Sequence, residues 1–223
     1  DCVAAMREKC DIPVTVKCRI GVDMDADFAF LDRFVSAVTG AGCQNVIIHA
    51  RKAWLKGLNP KENREKPPLN YERVYAIKRH YPDLRIVING GFTDEDSVDA
   101  ALQHCDGVMI GRAAYKTPYM LAGITGRPEG TLPARTDVAW QMTDYMQMMA
   151  HKHATPYHHI TRHMLGLFHG LPGGRRWRQF LSETRADQYT DAYSYMRNAL
   201  TTVNETETIA AGQPSDAYMQ AAI

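Results

Sequence analysis

Two glycine corners in the middle of the chain have the residue types that bind phosphate. Asn89-Gly90-Gly91 follows one apolar run, and Gly111-Arg112 follows the next. Glycine lets the backbone come close to an anion, and a helix that begins directly afterwards offers unpaired N–H groups and the positive end of its dipole. One such corner could be an ordinary turn at the end of a strand, but two in succession favour a shared phosphate site.

Cationic and polar side chains lie at the ends of the two preceding apolar runs. Lys17 and Arg19 lie at the end of one run, and His49 and Arg51 at the end of the other. Because the carboxyl ends of parallel strands meet at one edge, these side chains should converge with the glycine corners. Several cations at one edge favour an anionic ligand or cofactor among them. Taken singly, Lys17 could be a rim residue and His49 a hydrogen-bonded core histidine.

The elements that position these residues alternate between strand and helix. Short β-branched or apolar runs predict strands over 13–18, 45–49, 85–89 and 106–111. Helical periodicity lies between them, over 27–39, over 71–81 and from a cap at Thr93 or Asp94 to Leu102. Such alternation is typical of parallel βαβ units. In (β/α)₈ barrels the usual phosphate site follows strands 7 and 8. We therefore number the predicted strands 5 to 8, which leaves strands 1 to 4 before Asp1.

The second half of the chain has no strand signal. Segment 123–135 is rich in glycine and proline and predicts a linker. Helices are predicted over 135–152, 156–169 and 179–203, and 204–223 is predicted to be a flexible tail. The predicted fold class is therefore α/β. Residues 1–122 form the C-terminal half of a (β/α)₈ TIM barrel, and residues 136–203 form an all-α helical bundle domain.

Composition excludes several classes of function. The net charge is +1, so any contact with a polyanion must be local. No apolar run approaches the roughly 18 residues of a membrane helix. Five cysteines without C-x-x-C spacing favour reduced thiols in the cytoplasm over disulfides or a zinc site. His159 and His163 have a spacing that a metal could use, but no glutamate or cysteine accompanies them, and we predict no metal.

Two basic segments are candidates for contact with a nucleic acid. Segment 50–69 follows the strand that ends in His49. It is longer than the roughly 12–15 residues usual for a loop that only connects two elements. In segment 173–179, Arg175 and Arg178 are three residues apart and would share a helix face. Trp177 between them could stack on a base or pack inward. Each segment could also be an ordinary solvated surface.

Four short motifs together resemble the tRNA-dihydrouridine synthases. They are Val16–Gly21, Ile48–Trp54, Ile88–Gly91 and Met109–Arg112, and the similarity extends from Asp1 to about Val203. Segment 51–69 is similar to the branch that acts on D-loop uridines 20 and 20a. The resemblance implies an FMN-binding barrel followed by a helical tRNA-binding domain. It also implies a monomeric cytoplasmic enzyme that reduces a uracil ring in tRNA and uses NADPH as reductant.

The resemblance also implies roles for individual residues. Cofactor contacts fall on Lys17, His49, Asn89, Gly90, Gly91, Gly111 and Arg112. The tRNA contacts fall on Arg51, Lys61 and Arg64, to which the second basic segment adds Arg175 and Arg178. In the family, hydride passes to C6 of uracil and a cysteine in the first half of the barrel protonates C5. That cysteine has no counterpart here, so we assign no catalytic residue. We expect a C-terminal portion of a synthase that is inactive alone.

Two alternatives remain at this point. Another FMN-dependent TIM-barrel oxidoreductase, of the dihydroorotate or enoate reductase type, would explain the glycine corners but not the basic segments. A non-catalytic tRNA-binding fragment would bind tRNA without retaining a flavin.

Overall fold

The computed structural model of the protein describes residues 2–25, 27–124, 126 and 131–203. Two compact units divide the chain, Asp1–Gly111 and Arg112–Ile223. The predicted tail 204–223 and part of the predicted linker lie outside the described residues. In the described part of the chain, no helix is long and apolar enough to span a bilayer.

A four-stranded parallel sheet forms the centre of the first unit, in the order β1-β2-β3-β4. The strands are β1 Val16–Arg19, β2 Asn45–His49, β3 Arg85–Asn89 and β4 Gly107–Met109. Helix α1 Cys2–Arg7 precedes them, and α2 Phe28–Gly40, α3 Tyr71–His80 and α4 Glu95–Leu102 connect them in turn. The predicted α/β class with a parallel sheet is confirmed.

Alternation along the strands separates two faces of the sheet. Val46 and Ile48 in β2, like Ile86 and Ile88 in β3, are fully buried, as are the helix residues Leu31, Val35, Val74 and Ile77. The residues between them, Ile47 and Val87, are only half-buried. In the strand register Lys17 lies beside Ile47, and Arg19, His49, Asn89 and Met109 lie in one row. These polar residues therefore share the less buried face, here called the site face.

Side-chain caps fix where three of the helices begin. Asp27 accepts from the Phe30 N–H at 2.7 Å, Asn70 from the Arg73 N–H at 3.0 Å, and Asp94 from the Ser97 N–H at 2.9 Å. Each carboxylate or amide oxygen satisfies a donor that the helix leaves unpaired. Of the two predicted caps of α4, the structure therefore uses Asp94.

Helices and turns make up the described residues of the second unit. The helices are α5 Arg112–Lys116, α6 Met120–Ile124, α7 Arg135–His153, α8 His158–Thr161, α9 Gly174–Glu183 and α10 Ala192–Leu200. Met146, Trp177, Leu181, Tyr195 and Met196 form part of their common core.

Two predicted helices of this unit differ from the structure. The helix predicted over 156–169 is only His158–Thr161, followed by turns. A Cβ on Gly166 would collide with the Lys116 carbonyl oxygen, so the chain turns there to pack against that backbone. The helix predicted over 179–203 is broken, because Asp191 and Ser194 form a capping box that begins α10 anew.

Candidate functional site

A connected polar network crosses the carboxyl ends of the strands. The Lys17 ammonium donates to Asn89 Oδ1 at 3.1 Å, and Asn89 Nδ2 donates to the Met109 carbonyl oxygen at 2.7 Å. The network thus reaches from β1 to β4, and both ends of the Asn89 amide are fixed. Burial, and secondarily the charge of Arg19, lower the pKa of Lys17. The site face therefore holds an oriented cation near its edge.

His49 lies against the first glycine corner. Its side chain is 9% exposed. Gly90 has φ of 123°, and a Cβ there would lie 2.8 Å from His49 Cδ2 and 3.0 Å from Leu69 Cδ2. Beyond the strands, the Ala50 N–H donates to the Asn89 carbonyl oxygen at 2.8 Å. Glycine at 90 is thus required for the imidazole and Leu69 to pack on the backbone.

Tyr71 holds this corner from α3. Its hydroxyl donates to the Gly90 carbonyl oxygen at 2.6 Å, and its ring stacks on Phe92 with centroids 5.2 Å apart. Gly91, with φ of 81°, leaves room for Leu69 and the Tyr71 hydroxyl. Sequence reasoning missed Tyr71 and Leu69, because contacts with a backbone carbonyl and a glycine leave no pattern of residue types.

The second glycine corner follows the neighbouring strand. Asn89 and Met109 are partners in the register, so Gly90–Gly91 and Gly111 leave adjacent strand ends. Gly111 is exposed, and a Cβ there would meet no atom within 4 Å. Packing among the residues that the structure describes therefore gives no reason for glycine at 111, whereas close approach of a ligand would. Arg112 is the first residue of α5 and of the second unit.

Helix α4 does not offer the open amino terminus expected after the first corner. Asp94 caps it, and Glu95 and Asp96 stand in its first turn. These carboxylates already complement the positive end of the helix dipole. Anion binding at Gly90–Gly91 would therefore depend on the glycine backbone and nearby cations more than on this helix end.

Segment 50–69, here called the rim loop, leaves β2 at the site face. A 3₁₀ helix forms over Glu62–Arg64. Its cap residue Lys61 and its last residue Arg64 are exposed. Asn59 Oδ1 accepts from the N–H groups of Lys61 and Glu62 at 3.0 and 2.9 Å. Arg51 is half-buried and donates to the Pro67 carbonyl oxygen. Lys61 and Arg64 thus present charge to solvent, whereas Arg51 also holds the loop.

The second basic segment forms the start of α9. Arg175 and Arg178 are exposed, whereas Trp177 is fully buried. Trp177 Nε1 donates to the Met164 carbonyl oxygen at 3.0 Å, so of the two alternatives the ring packs inward. A Cβ on Gly173 or Gly174 would collide with the carbonyl oxygen of Thr202 or Phe168. Close packing, not anion binding, accounts for these two glycines.

None of the five cysteines, all in the described residues, lies at the carboxyl ends of the strands. Cys18 belongs to the buried face, and burial raises its pKa to about 11. Cys43 and Cys105 are buried before β2 and β4, while Cys2 and Cys10 are exposed before β1. The site face therefore has no thiol that could donate a proton to a ligand there.

The histidines of the second unit make ring contacts. His158 and His159 lie edge to face at 4.4 Å, and His163 lies edge to face with Tyr115 at 5.7 Å. Within the ranges that the structure describes, no three His, Cys, Asp or Glu side chains are placed to hold a metal ion.

Comparison with known proteins gives a family match over most of the chain. The family model described as dihydrouridine synthase (Dus) matches residues 1–204. The tRNA-dihydrouridine(20/20a) synthase of Shewanella oneidensis is 53% identical over 187 residues, covering 82% of this chain and 55% of that protein. The Escherichia coli (strain K12) synthase of the same name is 51% identical over 187 residues, covering 82% and 54%. The chain spans about half the length of the curated relatives it matches.

A crystal structure of mandelate oxidase is also similar. It shares 15% sequence identity with the chain, with a TM-score of 0.38, and the match covers 90% of this chain and 68% of that one.

Proposed function

The chain belongs to the dihydrouridine synthase family, and we propose on this basis that it forms the cofactor- and tRNA-binding part of an enzyme that reduces uridines 20 and 20a of tRNA to dihydrouridine. The observation that supports this most directly is the meeting of Lys17, His49 and Asn89 with Gly90 on the site face. A cation, an amide and a glycine backbone at one edge suit a cofactor with a polar ring and an anionic tail.

The residues at this edge of the sheet fit flavin mononucleotide. Open space at Gly111, beside the glycine corner of the neighbouring strand, leaves room for a phosphate. We assign Lys17, His49 and Asn89 to the ring and ribityl side, and Asn89 with Gly90, Gly91, Gly111 and Arg112 to the phosphate. FMN, when bound, supplies the hydride that reduces uracil, and NADPH is the proposed reductant.

Within this assignment Lys17 acts as a fixed cation. Asn89 Oδ1 orients its ammonium, and the Met109 carbonyl oxygen orients Asn89 in turn. A pre-oriented positive charge stabilises negative charge on a bound ligand without reorganising at that moment. None of the chain's cysteines lies on the site face, so the acid that protonates C5 of uracil is proposed to lie in a segment outside this chain. The chain alone would then not reduce uridine in tRNA.

Two basic segments support tRNA as the substrate. Arg51, Lys61 and Arg64 belong to the rim loop, and Arg175 and Arg178 share one face of α9. Arginine pairs with phosphate through a planar fork, which suits an RNA backbone. A uridine must leave its stack before a ring cofactor can reach it, so contacts beyond the reacting base are needed.

The finer architecture belongs to the same proposal. Residues 1–122 would be strands 5–8 of an FMN-binding TIM barrel, 123–135 a linker, and 136–203 a helical tRNA-binding bundle. The enzyme would be a cytoplasmic monomer when complete.

A chimera tests the function directly. Residues 1–204 replace the matched part of the E. coli (strain K12) relative, and the gene is expressed in a host without its own copy. Mass spectrometry of tRNA should show the gain of two hydrogen atoms at uridines 20 and 20a. The 223-residue chain alone, supplied with FMN, NADPH and unmodified tRNA, should show no gain.

The matched variant of the chimera is Asn89→Ala, which removes both hydrogen bonds of the network. It should lose FMN absorbance and activity together. A folded chimera that retains FMN but never reduces tRNA would contradict the proposed function. Turnover by the isolated chain would contradict the proposed source of the acid.

A further inference from the structure

Arg19 ties the rim loop to the end of β1. Its Nη1 donates to the carbonyl oxygens of Lys52 at 3.0 Å and Asn63 at 2.8 Å, and lies 3.2 Å from Asn63 Oδ1. The two bonded residues stand at opposite sides of the loop. One guanidinium at the strand end therefore closes the loop on itself.

Asn63 completes this closure from the other side. Its Oδ1 also accepts from the Trp54 N–H at 3.0 Å, and its Nδ2 donates to the Trp54 carbonyl oxygen. The amide thereby pairs with the Trp54 backbone as a neighbouring strand would. Arg19 and Asn63 together are called the loop clamp.

The loop clamp acts on the segment that displays Lys61 and Arg64. Asn63 is the central residue of the 3₁₀ helix Glu62–Arg64, next to Arg64 and two residues from Lys61. Fixing Asn63 therefore restricts the short backbone segment that carries Lys61 and Arg64. Ordering long cationic side chains before binding reduces the entropy that binding must otherwise remove.

The clamp also gathers positive charge. Burial lowers the pKa of Arg19, and the positive charges of Arg64 and Arg51 lower it further. Holding like charges near one another is unfavourable in the free protein. A phosphate group near Arg64 would relieve that repulsion.

We propose that Arg19 and Asn63 are positioning residues for tRNA binding, which act through Lys61 and Arg64 without touching RNA themselves. This inference rests on the proposed function, since it assumes that the rim loop meets tRNA. Its specific content is a coupling: the contribution of Asn63 should exist only while Lys61 and Arg64 are present.

The test is a binding cycle on the 223-residue chain with unmodified tRNA. We expect Asn63→Ala to weaken binding about tenfold and Lys61→Ala with Arg64→Ala to weaken it more. All three substitutions together should bind within about twofold of the Lys61 and Arg64 double variant. Asn70→Ala removes an amide cap at the far end of the rim loop and should leave tRNA affinity unchanged.

Arg19→Lys provides a second route if Asn63→Ala does not fold. It keeps the charge but loses the planar fork, and it should reproduce the tenfold loss with the same coupling. The inference would be overturned if the triple variant lost the product of the two separate losses in affinity, or if Asn63→Ala bound tRNA as tightly as the unchanged chain. Either result would leave the proposed function standing. Unchanged affinity in the Lys61 and Arg64 double variant would overturn the inference and would also remove the rim loop from the proposed tRNA contacts.

Discussion

The Tyr71 hydroxyl is a single group whose loss should affect the cofactor site. Tyr71→Phe removes the 2.6 Å hydrogen bond to the Gly90 carbonyl oxygen and leaves the ring on Phe92. We expect the free energy of unfolding to fall by about 1 kcal/mol and FMN affinity to fall about fivefold. Urea unfolding and FMN titration measure the two effects.

Tyr81→Phe is the control for Tyr71→Phe. It removes a 2.6 Å bond from a tyrosine hydroxyl to Asp32 Oδ1, remote from the glycine corners. It should lower stability similarly and leave FMN affinity unchanged. Equal FMN affinities for the two variants would show that the Tyr71 hydroxyl does not contribute to FMN binding.

Gly111 permits a separation of ligand binding from folding. A methyl group there meets no atom of the protein within 4 Å, so Gly111→Ala should change stability by less than about 0.5 kcal/mol. The same methyl would occupy the proposed phosphate space and should weaken FMN binding about tenfold.

Gly40→Ala is the matched substitution for Gly111→Ala. A methyl group at position 40 would also meet no atom within 4 Å, and Gly40 is the last residue of α2. The substitution should therefore stabilise the protein by up to about 1 kcal/mol. FMN binding should not change. Full FMN affinity in Gly111→Ala would remove Gly111 from the site.

At the scale of elements, the cap of α10 gives a pH-dependent prediction. The Ser194 N–H donates to the Asp191 carboxylate at 2.6 Å and lowers the pKa of Asp191. Asp191→Ala should cost about 1 kcal/mol near neutral pH. A lowered pKa in the folded state means that the carboxylate stabilises above its ordinary pKa and loses this effect as pH falls through the lowered value.

Unfolding in urea at about pH 6 and about pH 3 should therefore show a smaller difference between Asp191→Ala and the unchanged chain at the lower pH. Asp187→Ala, which breaks an exposed ion pair with Arg185, should change stability by less than about 0.5 kcal/mol. A cost of Asp191→Ala that is constant with pH would contradict a role for the carboxylate charge.

The existence of all four strands was predictable because their signal is local, although the predicted 13–18 and 106–111 are Val16–Arg19 and Gly107–Met109 in the structure. The apolar runs 45–49 and 85–89 match β2 and β3 residue for residue, since burial selects branched apolar residues along each run. The helix predicted over 156–169 was wrong for a reason that is not local. Gly166 packs on the carbonyl of Lys116, and no periodicity within a segment reports so distant a partner.

The candidate site likewise contains residues that the sequence predicts and residues that it does not. Lys17, His49 and Asn89 have chemically distinctive side chains at strand ends, so the sequence predicts their convergence, and the structure places them on one face. Tyr71 and Asn63 were missed because each bonds a backbone carbonyl, which every residue has. Their assignment to a cofactor and to tRNA stays a prediction.

At the scale of the whole molecule, charge rather than shape should dominate tRNA affinity. Arg175→Glu with Arg178→Glu reverses two exposed charges on α9. Binding should weaken, and the slope of log affinity against log salt should become shallower by about 1 for each phosphate that α9 no longer neutralises. Arg33→Glu with Arg79→Glu changes net charge equally on α2 and α3 and should retain more of the slope. Identical slopes for both pairs would show that α9 has no specific role.

The burial of Trp177 has a spectroscopic consequence. Its indole is sealed from water in the second unit, whereas the half-buried Trp54 lies in the rim loop with the Lys52 ammonium 5.6 Å from its ring. Intrinsic fluorescence from Trp177 should be blue-shifted and resist acrylamide quenching, while Trp54 emits to the red and quenches readily. With Trp140→Phe, the two emissions become separate optical reporters, one for melting of the helical unit and one for movement of the loop.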